Sequence, residues 1–91
     1  MKKQLRTLFS GTVQGVGFRY TAQNLSRRFD VTGYVRNLTD GQVEMLAEGE
    51  EDQLRQFLDA ISNSHLSGFI RETRTFWDEP QGKFQTFEIA V

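Results

Sequence analysis

This sequence predicts an α/β (α+β) sandwich in which two helices cover one face of an antiparallel-dominated mixed sheet. Three observations predict it. Hydrophobic periodicity switches between two residues and about 3.6 in the order β-α-β-β-α-β, with one more strand-like run at the end. A tight glycine turn, Gln14-Gly15-Val16-Gly17, joins the first strand to the first helix, and a helical crossover makes the flanking strands parallel. Asp40-Gly41 then supplies a hairpin turn between the next two strands, since Asp-Gly readily accommodates positive φ.

Bulk properties narrow the classes. The 91 residues leave no room for a second core, so residues 1–91 are expected to form a single domain. Eight phenylalanines predict a core dominated by aromatic packing. The net charge is −1 and no long basic run occurs, which argues against a mainly electrostatic nucleic-acid or membrane surface. Without cysteine, disulfides, thiolate metal sites and cysteine nucleophiles are excluded. Arg6, Thr7, Ser10 and Gly11 break any apolar signal core after Met1-Lys2-Lys3, and no segment approaches transmembrane length. A cytoplasmic monomer is expected.

Residues 4–13 alternate, with Leu5, Thr7, Phe9, Gly11 and Val13 on one face. Period two makes this a strand, and Gly11 within it marks a place of close backbone approach. Phe18, Ala22, Leu25 and Phe29 recur at helical spacing and predict a helix over 18–29. Arg27 and Arg28 would then lie in its last turn, where positive charge complements the dipole. Val31 to Leu38 reads as the second strand. Gln42 to Gly49 reads as the third, with Val43, Met45 and Ala47 opposite Glu44 and Glu48. Glu50-Glu51-Asp52 places acid at a helix start, and Leu54, Phe57, Leu58 and Ile61 form that helix's apolar stripe. Asn63 to Gly68 is a polar loop holding the single histidine, His65, which has no carboxylate or second ligand near it in sequence. Phe69 to Trp77 reads as a fourth strand with Thr73 and Thr75 where valine would be more ordinary. Asp78 to Gly82 is a turn, and Phe84 to Val91 a last strand with Phe87, Ile89 and Val91 on one face. The economical arrangement is one sheet ordered 4-1-3-2, as in ferredoxin-like folds, with the fifth strand extending an edge.

Gly15, Val16, Gly17, Phe18, Arg19 and Tyr20 carry the chemistry. A strand-to-helix turn gathers backbone N–H groups at a helix N-terminus, where the macrodipole favours an anion. Arg19 adds a planar fork of donors suited to phosphate oxygens. Taken alone, the stretch equally fits a plain βα turn with a surface arginine. Asn37 changes the balance. Strands one and two are parallel, so their C-terminal ends share one side of the sheet, where open sheets tend to bind ligands. Asn37 has the parity of Val31, Gly33 and Val35 and should share the helix-covered face. Its simpler role would be to cap the hairpin turn.

Together these residues suit a phosphoryl group. Backbone N–H groups and Arg19 would neutralise its oxygens, and the neutral Asn37 amide would orient a water. With no strong general acid in sight, only a good leaving group such as a carboxylate would depart. No Walker-type lysine or acidic cluster calls for magnesium, so neither metal nor cofactor is expected.

Gly11-Thr12-Val13-Gln14-Gly15-Val16-Gly17-Phe18-Arg19, followed by Gly33-Tyr34-Val35-Arg36-Asn37-Leu38-Thr39-Asp40-Gly41-Gln42-Val43-Glu44, closely resembles the two signatures of the acylphosphatases. The resemblance extends to Ala47-Glu48-Gly49 and Phe87-Glu88-Ile89. It implies metal-independent hydrolysis of the carboxyl-phosphate bond of acyl phosphates, without a covalent intermediate. It implies that Arg19 binds the phosphate and that Asn37 orients the attacking water, with inorganic phosphate as product and inhibitor. Between the second helix and the fourth strand the match thins. The family often has a Gly-Pro pair and more valine there, where this chain has Asn63 to Gly68, Ile70, Thr73 and Thr75. These positions lie outside the site motifs and bear on packing, stability and substrate-side contacts.

Two other readings remain at this stage. One is a non-catalytic ferredoxin-like module that binds an anion or RNA, although no RNP1-like octapeptide appears. The other is an acylphosphatase-like domain of a larger carbamoyl-handling maturation protein; a chain running from Met1 to a terminal strand favours a free enzyme.

Overall fold

The computed structural model describes residues 1–91. The elements follow the predicted order: β1 (Lys2–Gly11), α1 (Phe18–Ser26), β2 (Val31–Asn37), β3 (Val43–Glu50), α2 (Glu51–Ser62), β4 (Ile70–Asp78) and β5 (Phe87–Ile89). The sheet runs β4-β1-β3-β2-β5. The predicted 4-1-3-2 order holds, and the fifth strand extends the β2 edge in parallel. β3 pairs antiparallel with both β1 and β2, which makes β1 and β2 parallel to each other.

Both helices pack on the face presented by Leu5, Phe9, Val35, Met45 and Ala47, all fully buried. Phe18 and Ala22 of α1 and Leu54, Phe57 and Ile61 of α2 complete this core. Aromatic rings dominate the packing. Phe9 meets Phe18 at 4.8 Å between centroids, and Phe57 meets Phe87 edge-on at 5.3 Å. Each such buried side chain contributes on the order of 1.5–3 kcal/mol.

Several boundaries differ from the periodicity, each for a physical reason. The pairing of β1 with β4 shifts register between Ser10 and Gly11. There the Phe69 carbonyl approaches Gly11 so closely that a Cβ would collide with it, which is the close approach the glycine signalled. β1 therefore ends at Gly11 rather than Val13. Helix α1 ends at Ser26 rather than Phe29, because the N–H groups of Arg27, Arg28 and Phe29 turn to carbonyls three residues back. Arg27 and Arg28 consequently lie beyond the last helical turn, and Arg27 donates to Asn24 Oδ1. The predicted polar loop contains a 3-10 turn over His65–Phe69, capped by Ser64, whose hydroxyl accepts from the Leu66 N–H. Leu66 is fully buried under it, while His65 is exposed.

The last strand is much shorter than expected. Only Phe87–Ile89 pair with β2, and of the three apolar residues predicted to share a face only Phe87 is buried. Residues 79–86 instead form a strap. It leaves β4 at one edge, crosses the sheet face opposite the helices and reaches β5 at the other edge. Midway, Glu48 accepts the N–H groups of Gln81 and Gly82 at 2.6 and 3.0 Å, and Phe84 packs against Tyr34. This strap and a cluster around Glu44 explain why Gln4, Leu8, Glu44 and Glu48 are buried on a face expected to be open. Beyond Ile70, β4 is exposed along its whole length, which accounts for Thr73 and Thr75 at its inward-facing positions.

Candidate active site

The site begins where β1 ends. After Val13, which is fully buried, the chain turns into α1 through Gly15 (φ 79°) and Gly17 (φ 77°). Both lie in the left-handed region that side chains with a Cβ rarely adopt. Between them Val16 packs against the core, so its part in the loop is confined to its backbone. Gly17 stands at the N-cap and brings no side chain to cap the helix. The first helical bond runs from the Thr21 N–H to the Gly17 carbonyl. The N–H groups of Phe18, Arg19 and Tyr20 precede it and have no acceptor within the helix.

Phe18 fixes the approach of this helix end. Its ring lies on Phe9, and Phe9 pairs with Val43, which pairs on its other side with Asn37. Phe9, Val43 and Asn37 thus stand on one rung, with side chains on the same face. That rung brings Arg19 and Asn37 to one cavity of about 220 Å³, lined by Val13, Gly15, Gly17, Phe18, Arg19, Tyr20, Asn37 and Ile89. Asn37 Oδ1 is buried and finds no hydrogen-bond partner in the protein, so this acceptor does not cap the hairpin turn. Asp40 takes that part, accepting the Gln42 N–H at 3.0 Å.

Arg19 is the only charged residue of the lining, and it takes part in none of the chain's ion pairs. Its charge is therefore uncompensated by a neighbouring carboxylate. No group of three His, Cys, Asp or Glu side chains comes together in a way that could hold a metal ion. No helix is long and apolar enough to cross a membrane.

Two residues at the site had no role assigned to them by the sequence. Ile89 is 39% exposed and forms part of the cavity wall. The strand pattern signalled it only as a core position. Gln14 does not line the cavity, but its Nε2 donates to the carbonyls of Leu38 and Gln42 at 2.8 and 2.9 Å. A glutamine in a polar turn carries no periodic signal, and only the folded chain reveals its partners.

The opposite sheet face, where a ferredoxin-like module would present aromatics to RNA, is otherwise engaged. Glu44 accepts from Arg6 and Arg36 Nε, both at 2.7 Å, and from the Tyr34 hydroxyl at 3.3 Å. Burial alone would push the Glu44 carboxyl up, but these guanidinium hydrogen bonds outweigh it and hold the group below the usual glutamate range.

Comparison with known proteins gives the family. The acylphosphatase family model matches residues 5–89. An acylphosphatase of Bacillus licheniformis is 40% identical over 87 residues, covering 96% of this chain and 97% of that protein. One from Listeria monocytogenes serotype 4b is 41% identical over 82 residues, covering 89% and 88%. The crystal structure of acylphosphatase from Bacillus subtilis superposes with a TM-score of 0.89 at 34% identity, covering 98% of this chain and 99% of that one. The full-length HypF structure has the same fold within 12% of its length, at 24% identity and a TM-score of 0.87. With its fold, its two signature stretches and nearly its whole length matched, the chain belongs to the acylphosphatase family.

Proposed function

We propose that the chain works as a metal-independent acylphosphatase in which Arg19 and the backbone of residues 15–20 hold the phosphoryl group and Asn37 orients the attacking water. One observation carries the division of roles: the unpartnered donors of the α1 N-terminus and Arg19 share a cavity with Asn37, whose buried Oδ1 has no partner in the protein. The donors match an anion. The acceptor matches the O–H of a water, because a buried carbonyl oxygen left alone is costly.

In this reading the water attacks phosphorus and the bond to the carboxylate oxygen breaks. The carboxylate departs with the electron pair, and the water's proton passes to a phosphate oxygen. The products are a carboxylate and inorganic phosphate, the latter an inhibitor through the same cradle. No lining residue supplies a carboxylate, thiol or imidazole, which supports a reaction that needs no general acid and no covalent intermediate. Residues 1–91 are proposed to act as one domain, a cytoplasmic monomer with no nucleic-acid partner. The near-neutral charge and the occupied outer sheet face support the last point.

The test is hydrolysis of an aryl acyl phosphate beside a phosphate monoester, both in EDTA. Rapid turnover of the acyl phosphate alone is expected. Loss of activity in EDTA that magnesium restores would refute metal independence.

A further inference from the structure

Gln14 makes the one side-chain link between the phosphate loop and the β2–β3 hairpin seen in the chain's hydrogen bonds. Its single carboxamide nitrogen donates to the carbonyls of Leu38 and Gln42, one from each arm of the hairpin. The same two residues close the hairpin base, where the Leu38 N–H donates to the Gln42 carbonyl at 2.8 Å. Leu38 directly follows Asn37, and Gly15 directly follows Gln14. A fork of two hydrogen bonds therefore spans from the backbone that carries the cradle to the backbone that carries the asparagine.

The remaining anchors of the loop, Val13, Val16 and Phe18, are apolar core contacts. Such packing resists separation but sets distance along the sheet end less sharply than two directed hydrogen bonds. Asn37 has no hydrogen bond of its own through Oδ1 to fix its aim. Its position relative to the phosphoryl group depends on the hairpin backbone.

Resting on the functional reading above, we infer that Gln14 is a positioning residue: it sets the register between the half of the site that holds phosphate and the half that aims water. It touches neither reactant. Misplacement by about 1 Å is enough to cost on the order of a hundredfold in rate, so loss of this tie should be visible in turnover well before it is visible in binding.

The experiment is a double-mutant cycle on the whole chain. Gln14→Met keeps length and loses both donors; Gln14→Asn keeps the amide and cannot reach. Each is made alone and in Asn37→Ala, with thermal unfolding recorded so that rates refer to folded protein. In the wild-type background either substitution should lower kcat by about tenfold or more, with inhibition by inorganic phosphate within about twofold of wild type. In Asn37→Ala the same substitutions should lower kcat further by less than about twofold, since no aimed water remains to misplace. A purely structural glutamine would lower Tm in both backgrounds and leave the kcat of folded protein unchanged, which overturns the inference. Equal losses in both backgrounds also overturn it, while leaving the role of Asn37 intact. Full kcat in Asn37→Ala alone would overturn the role of Asn37 and that of Gln14 with it.

Discussion

Arg19 meets phosphate with a flat fork of donors, whereas lysine offers a compact point charge on a flexible stem. With no protein carboxylate paired to it, the guanidinium is held ready by the helix that starts one residue earlier. Arg19→Lys should therefore leave activity lost, and Arg19→Ala should weaken inhibition by phosphate as well as turnover. Asn37→Ala should behave differently. Its kcat should fall by about a hundredfold or more, while phosphate inhibition stays close to wild type. Steady-state kinetics with phosphate as competitive inhibitor separate the two patterns. Equal loss of phosphate affinity in both variants would place Asn37 in the anion cradle and end the division of labour. The face of Asn37 was legible from strand parity alone, because residues 31, 33, 35 and 37 must share a side once the strand forms. Gln14 was illegible for the converse reason: its partners are backbone carbonyls of a distant hairpin, and backbone carbonyls leave no mark on sequence.

Among the elements, those with a strong period or a defined turn read well. The β1–α1 turn, the Asp40-Gly41 hairpin and the α2 stripe of Leu54, Phe57 and Ile61 are where their patterns placed them. The strap over 79–86 has neither period nor compact turn, and its course depends on one glutamate of β3. Glu48 is 6% exposed and also accepts the Gln4 amide at 2.9 Å. Burial would raise its carboxyl, but the N–H groups of Gln81 and Gly82 and the Gln4 amide outweigh burial and hold it below the usual range. Glu48→Ala would leave these donors without an acceptor at about 1–3 kcal/mol in unfolding free energy. Urea unfolding should register that loss, and hydrogen exchange should accelerate at the Gln81 and Gly82 amides. The strap leads directly into β5, a strand of three residues with one buried anchor, Phe87, so exchange should quicken there too. Unchanged protection at both amides would mean that the strap is held by Phe84 and Tyr34 instead.

Across the whole molecule, the sheet separates two chemistries. The helix side is apolar and ends in a cavity without a titratable carboxylate or imidazole. The other side holds two buried glutamates, Glu44 and Glu48, each kept ionised by donors from neighbouring strands or from the strap. Their folded-state carboxyls titrate below the ordinary value of 4.5. A depressed carboxylate contributes stability that is fully present above the unfolded value and is lost as pH falls through the folded one. Acid should therefore weaken the fold on this face, with Tm level near neutral pH and dropping once pH falls below the ordinary glutamate range. Glu44→Gln separates this contribution from that of the remaining carboxylates. The variant leaves Arg6 and Arg36 facing one another without their shared counter-charge, so it should be less stable than wild type at pH 7. It should also lose less on further acidification, because the group whose protonation weakens the wild-type fold is gone. Calorimetric Tm values from pH 7 down to about pH 3 give the comparison, with the difference between the two proteins narrowing as pH falls. Parallel curves for wild type and Glu44→Gln would show that the Arg6–Glu44–Arg36 cluster does not govern the acid limit of this fold.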